Sequence, residues 1–104
     1  MITQKLLIVL SSVFLFAVGT TLADGDAEAG KTKAAACAGC HGENGEGVEP
    51  NPPLAGLEEG YQVEQLKAYK DGTRQNPMMQ MFSSGLSDQD MEDLAAFYAT
   101  LAKD

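Results

Sequence analysis

Cys37-Ala38-Gly39-Cys40-His41 is the segment in which residue type and spacing point most directly to chemistry. Two thiols three positions apart, with an imidazole immediately after the second, form the C-x-x-C-H arrangement that attaches a c-type haem. The spacing has a chemical basis. Each thiol adds across one vinyl group of a single porphyrin, and the adjacent histidine then falls beneath the iron as its proximal ligand. The chain has two cysteines and one histidine in all, which weighs on the rival readings. A redox dithiol also uses C-x-x-C, but beside a βαβ pattern, whereas this chain reads as helices and loops. Structural zinc needs four protein ligands, so a closed site would require an added carboxylate or a second chain. A disulfide between the two cysteines suits an oxidising compartment, yet it closes a very small loop and leaves His41 without a role. An isolated histidine is more often a surface or core residue; its place directly behind the second cysteine is what marks this one as a ligand.

Three helices are predicted to position these residues, and no strand signal reaches the same level. Residues 26–37 open with Asp26 and Glu28 and place Lys31 and Lys33 later, the order a helix macrodipole favours. Ala27, Gly30, Ala34 and Cys37 share one face of small residues, where another helix can approach the backbone at Gly30. Residues 61–70 put Val63, Leu66 and Tyr69 on a common face, with Gly72 suited to the position just past the end. The last helix is the best defined. Ser87 and Asp90 make a capping box, and Met91, Leu94, Tyr98 and Leu101 recur at helical spacing.

Two segments read as irregular. Residues 42–56 hold three of the four prolines, with Gly42, Gly45 and Gly47 read as a flexible turn. Glu43 and Glu46 exclude these glycines as a phosphate loop, and no lysine follows. Residues 72–85 read as a second loop, although Met78, Met79, Met81 and Phe82 lie in it. An apolar loop needs something to cover.

Composition sets the remaining bounds. Residues 1–23 carry Lys5, an almost wholly apolar run over 6–18, and Thr21-Leu22-Ala23 before the expected cut, the plan of a secretory signal peptide. The apolar run spans 13 residues, short of the roughly 20 that a transmembrane helix needs. Cleavage leaves 81 residues, a single domain over 24–104. Chains of this size bury only about 60% of the surface their unfolded form exposes, and so commonly recruit a cofactor. Their net charge here is −9, which repels nucleic acid and anionic membrane surfaces and steers toward basic faces on other proteins.

At these residues the sequence resembles the class I c-type cytochromes, the small monohaem bacterial periplasmic group, over the whole processed chain. The features run in order: Gly30 ahead of the haem motif, Cys37 to His41, Asn51-Pro52-Pro53-Leu54-Ala55-Gly56, Asp71-Gly72-Thr73-Arg74, Asn76-Pro77-Met78-Met79, and Leu86-Ser87-Asp88. The resemblance implies an all-α cytochrome c-like fold of three to four helices, its first and last helices crossing and loops enclosing one covalent haem. It also implies an apoprotein that is largely unfolded. Met79 is the implied sixth ligand, with Met78 and Met81 as alternatives in the same loop and Met91 better read as packing. A proline carbonyl oriented toward the proximal histidine maps to Pro53, with Pro52 adjacent; Leu54 belongs to the same haem-side loop. Arg74, the only arginine, suits a haem propionate, and a solvated surface role is the alternative.

With histidine and thioether on the iron, no coordination position is open, and such a pair raises the reduction potential. The implied function is a soluble periplasmic one-electron carrier, not an enzyme. It would act as a monomer or in transient complexes, docking briefly on redox proteins with basic faces at rates that fall with salt, without stable membrane insertion. Two alternatives stand beside it. One is the haem-bearing subunit of a dehydrogenase, such as a flavoprotein acting on a sulfur compound; the other is a haem enzyme or gas sensor with the methionine displaced.

Overall fold

The computed structural model describes residues 24–103, and the expected signal peptide and its cleavage point lie outside the described residues. Five helical segments follow one another: α1 Ala27–Lys33, α2 Ala38–His41, α3 Glu59–Asp71, α4 Pro77–Ser84 and α5 Asp88–Thr100. A 3-10 turn, Ala34–Ala36, joins α1 to α2. No strand occurs among the described residues; Val48 and Asn51 form an isolated antiparallel bridge. The all-α expectation holds.

α1 starts where the Asp26 carboxylate accepts from the Glu28 and Ala29 amides at 2.9 and 3.3 Å. The single helix expected over 26–37 is broken by the 3-10 turn, so the single-turn α2 carries Cys40 and His41 as a separate piece. α3 exceeds the predicted span by two residues at its start and one at its end. It stops at Gly72, whose left-handed φ of 79° suits a residue without a β-carbon. α5 carries the capping box in full: the Asp90 amide donates to Ser87 Oγ at 3.0 Å, and the Ser87 amide donates back to Asp90 Oδ2 at 2.9 Å.

α4 corrects the reading of 72–85 as a loop. The Asn76 side chain accepts from the Met79 amide at 3.0 Å, which caps the helix, and Pro77 stands in the first turn, where its missing N–H is no loss. The methionines behind it are good helix formers. Asn76 followed by Pro77 is here a helix start signal.

α1 packs chiefly on α5, while α3 packs on both α4 and α5. Gly30 is buried at the crossing. A β-carbon there would collide with the Asp93 carbonyl and stand 2.8 Å from the Phe97 β-carbon. Gly25 meets Glu92 and Ala96 in the same way. Beside this crossing, Asp93 Oδ1 accepts from the Asp26 amide at 2.8 Å and from the Gln89 side chain at 2.9 Å, and Lys33 Nζ reaches Oδ2 at 2.6 Å.

The core is thin. Eight apolar residues are buried among those described, and four of them are alanines. Ala34, Leu94 and Tyr98 form one cluster and Val63, Met91 and Ala95 another, with Leu86 touching both. Met91 is fully buried, in the packing role expected of it.

Candidate functional site

His41 ends α2 and is 7% exposed. Its Nδ1 lies 2.8 Å from the Pro52 carbonyl oxygen. A carbonyl can only accept, so Nδ1 is the donor here, and Nε2 is the nitrogen left to face a metal, the arrangement typical of a metal-ligating imidazole. The acceptor is therefore Pro52 and not Pro53, a correction to the mapped position. Pro53 lines the cavity described below without orienting the ring.

The loop that delivers Pro52 is tied by backbone hydrogen bonds. The Gly47 amide donates to the His41 carbonyl at 2.7 Å, and the Leu54 and Ala55 amides donate to the Gly45 carbonyl at 2.8 and 3.0 Å. Gly45 has a φ of 63°, and a β-carbon there would touch the Tyr98 ring at 2.9 Å. Leu54, half-buried, packs against the Ala34, Leu94 and Tyr98 cluster. The glycines thus form a hydrogen-bonded turn between His41 and α5.

Cys37 is half-buried and Cys40 exposed, both as free thiols. Burial pushes the Cys37 thiol up, partly offset by a hydrogen bond with Tyr98. Burial also raises the Tyr98 phenol. Both cysteines and His41 open onto one cavity of about 570 Å³, which Met79 also lines, a size within the roughly 300–1,000 Å³ range of ligand and cofactor pockets. Its walls come from every helix except α1's first turns: Leu66 and Gln62 on α3, Met79 and Ser83 on α4, Leu94 and Tyr98 on α5.

The three candidate methionines separate clearly. Met79 is half-buried in the cavity wall, Met78 lines the cavity but is 57% exposed, and Met81 is 59% exposed and does not line it. Arg74 lies at the same cavity, exposed, with its guanidinium donating to Gln65 Oε1 at 2.6 Å and lying 4.7 Å over the Tyr69 ring. Those two contacts leave guanidinium donors over for a carboxylate.

Sequence reasoning missed three polar side chains here. Buried Gln62 donates to the Leu57 carbonyl at 2.8 Å and ties α3 to the loop behind it. It lies one turn from Leu66 on the inward face, so helical spacing carried the signal. Tyr98 was assigned to packing, and its hydroxyl faces Cys37. Ser83 is wholly buried in the cavity wall, and nothing in a run of small polar residues singled it out.

The donor set fits haem: two free thiols, an imidazole with its outer nitrogen available, and a thioether share one largely apolar cavity. Comparison with known proteins agrees. The Cytochrome c family pattern matches residues 27–102. Cytochrome c4 of Pseudomonas aeruginosa is 46% identical over 83 residues, covering 79% of this chain and 41% of that protein. Cytochrome c-554(548) of Halomonas halodenitrificans is 41% identical over 80 residues, covering 73% of this chain and 96% of that one. Among solved structures, cytochrome c4 of Acidithiobacillus ferrooxidans superimposes with a TM-score of 0.73 at 32% identity, over 79% of this chain and 53% of that one. A chain of the thiosulfate dehydrogenase TsdBA from Marichromatium purpuratum gives 0.69 at 35% identity, over 74% of this chain and 19% of that one. The chain thus spans less than half the length of the Pseudomonas cytochrome c4 and nearly all of the Halomonas protein.

Proposed function

Because the chain belongs to the cytochrome c family, whose prosthetic group is covalent haem c, we propose that it is an exported, periplasmic one-electron carrier with haem bonded to Cys37 and Cys40 and its iron between His41 and Met79. The observation that carries this reading is the convergence of those four side chains on one cavity of about 570 Å³. When bound, the haem iron supplies a one-electron couple.

The chain's own residues keep that couple simple. The Pro52 carbonyl holds the His41 ring by its protonated nitrogen, so the imidazole keeps one orientation in either oxidation state. Met79 rides on α4, whose first turn is fixed by Asn76. A thioether carried on a capped helix and a pinned imidazole rearrange little when charge changes. Leu66, Leu86 and Leu94 line the cavity and keep water from its inner wall. Arg74 stands where it can pair with a haem carboxylate, its remaining donors suited to that geometry. Surface charge selects the partner: the full sequence carries −8, so docking favours basic faces. Among the described residues no helix is long and apolar enough to cross a membrane.

A second reading has support in the likeness to a thiosulfate dehydrogenase chain. In it, the same domain serves as the haem-bearing partner of an enzyme acting on a sulfur compound. Copurification with a larger chain distinguishes it from a free carrier.

Absorption spectroscopy of the purified holoprotein tests the ligand set. With His41 and Met79 on the iron, the spectrum should be low-spin, with no uptake of carbon monoxide in the reduced state. A high-spin spectrum with ready carbon monoxide binding contradicts it and favours a haem enzyme or gas sensor.

A further inference from the structure

Ser83 Oγ is the one buried side-chain polar atom, among the described residues, without a hydrogen-bonding partner. The residue has 0% exposure and lines the same cavity as Met79. Native interiors rarely leave such a group unpaired. Its neighbour Ser84 behaves ordinarily: it is exposed and donates to the Met81 carbonyl at 2.7 Å, the local back-bonding usual for serine in a helix. Ser83 makes no such bond, so its donor is held for something in the cavity.

Position on α4 narrows what that is. Residues four apart lie on one face of a helix, and side chains lean toward its N-terminus. Ser83 therefore stands over the turn that carries Met79, and both side chains line the cavity. We propose that Ser83 is a positioning residue for the sixth iron ligand: once the Met79 thioether turns onto iron, the Ser83 O–H, unpartnered here, donates to its sulfur. This rests on Met79 being that ligand.

Sulfur in a thioether is a weak acceptor, but it belongs to the residue one helical turn back on the same face, and both side chains line the cavity. The bond would do two things. It orients the sulfur, and it draws electron density from an atom that donates to iron. Hydrogen bonds to ligand atoms are one of the levers by which a protein sets a haem potential. Less donation disfavours the oxidised iron more than the reduced, so the hydroxyl raises the potential and its removal lowers it.

The test compares Ser83→Ala, Ser83→Cys and the exposed control Ser84→Ala as holoproteins. Two quantities are read: the midpoint potential across pH, and the sulfur-to-iron charge-transfer band of the oxidised form. Ser83→Ala should keep the band, displaced from its original position, and shift the reduction equilibrium toward the oxidised form by roughly two- to tenfold, the range of one net hydrogen bond. Ser83→Cys, a weaker donor of similar shape, should fall between, and Ser84→Ala should match the unmodified protein. An unchanged potential and band in Ser83→Ala overturns the proposal. So does an effect confined to the pH dependence of the potential, which would assign the hydroxyl to a haem carboxylate. Absence of the band from the unmodified protein overturns the Met79 assignment itself, so the two failures are told apart.

Discussion

Met79 carries the sharpest prediction at the scale of the single residue. Three methionines fall within four positions of the sequence, but only Met79 combines partial burial with a place in the cavity wall. Met79→Ala should abolish the charge-transfer band of the oxidised protein, whereas Met81→Ala, at a side chain 59% exposed and off the cavity, should leave it intact. A band that survives Met79→Ala and disappears in Met78→Ala would move the ligand by one residue. The grouping of Cys37, Cys40 and His41 was legible because it is contiguous: three reactive side chains within five residues need no tertiary information to be brought together. The acceptor for His41 was not. Pro52 and Pro53 are alike in type, and which carbonyl turns inward depends on a backbone path fixed by the Gly45 and Gly47 hydrogen bonds, which residue identities alone do not disclose. Ser83 was silent for a similar reason, since its interest lies in having no partner.

At the scale of the element, α1 and α5 are clasped by Asp93. Its carboxyl is held down to about 2, first by the Asp26 amide, then by the Lys33 ammonium and the Gln89 amide. A carboxyl depressed in the folded state stabilises it fully above the unfolded value, near 3.9, and this contribution disappears as the pH falls toward about 2. Asp93→Ala should therefore cost about 1–3 kcal/mol at neutral pH, the scale of the hydrogen bonds that its charged carboxylate accepts from the Asp26 amide and Gln89; Lys33 keeps Asp90, 2.8 Å away. Denaturant titrations should show the gap between the two proteins closing between about pH 4 and 2; a gap constant through that window would show that Asp93 acts by packing alone. The helix crossing itself was legible from Gly30, because a stripe of small residues announces close approach. The clasp was not, since Asp93 resembles any other acid in an acidic helix until Lys33 and Asp26 fold against it. α4 was misread for want of weighing Asn76 as a cap ahead of Pro77; the same two residues that break one helix can start another.

For the whole molecule, the thin core is the controlling fact. Alanines make up half of the buried apolar residues among those described, and the larger ones, Val63, Met91, Leu94 and Tyr98, are divided between two clusters. A cavity of about 570 Å³ lies against them. A chain of this size with so little apolar burial is marginal on its own, so the group that fills the cavity is expected to complete the core. Circular dichroism of the chain prepared without haem should show little cooperative helix, and a sharp thermal transition in that form would mean the protein interior suffices. The fold class was legible because helical spacing and caps are local signals and α5 displays both. The cavity as a volume was legible only indirectly, through apolar residues in 77–82 with nothing yet to cover.

The most direct test is the intact mass of the exported polypeptide, recovered from a host equipped for cytochrome maturation and stripped with acidified organic solvent. The chain should still carry one tetrapyrrole, lost only when both Cys37 and Cys40 are replaced by alanine. A mass equal to the bare processed polypeptide would contradict it.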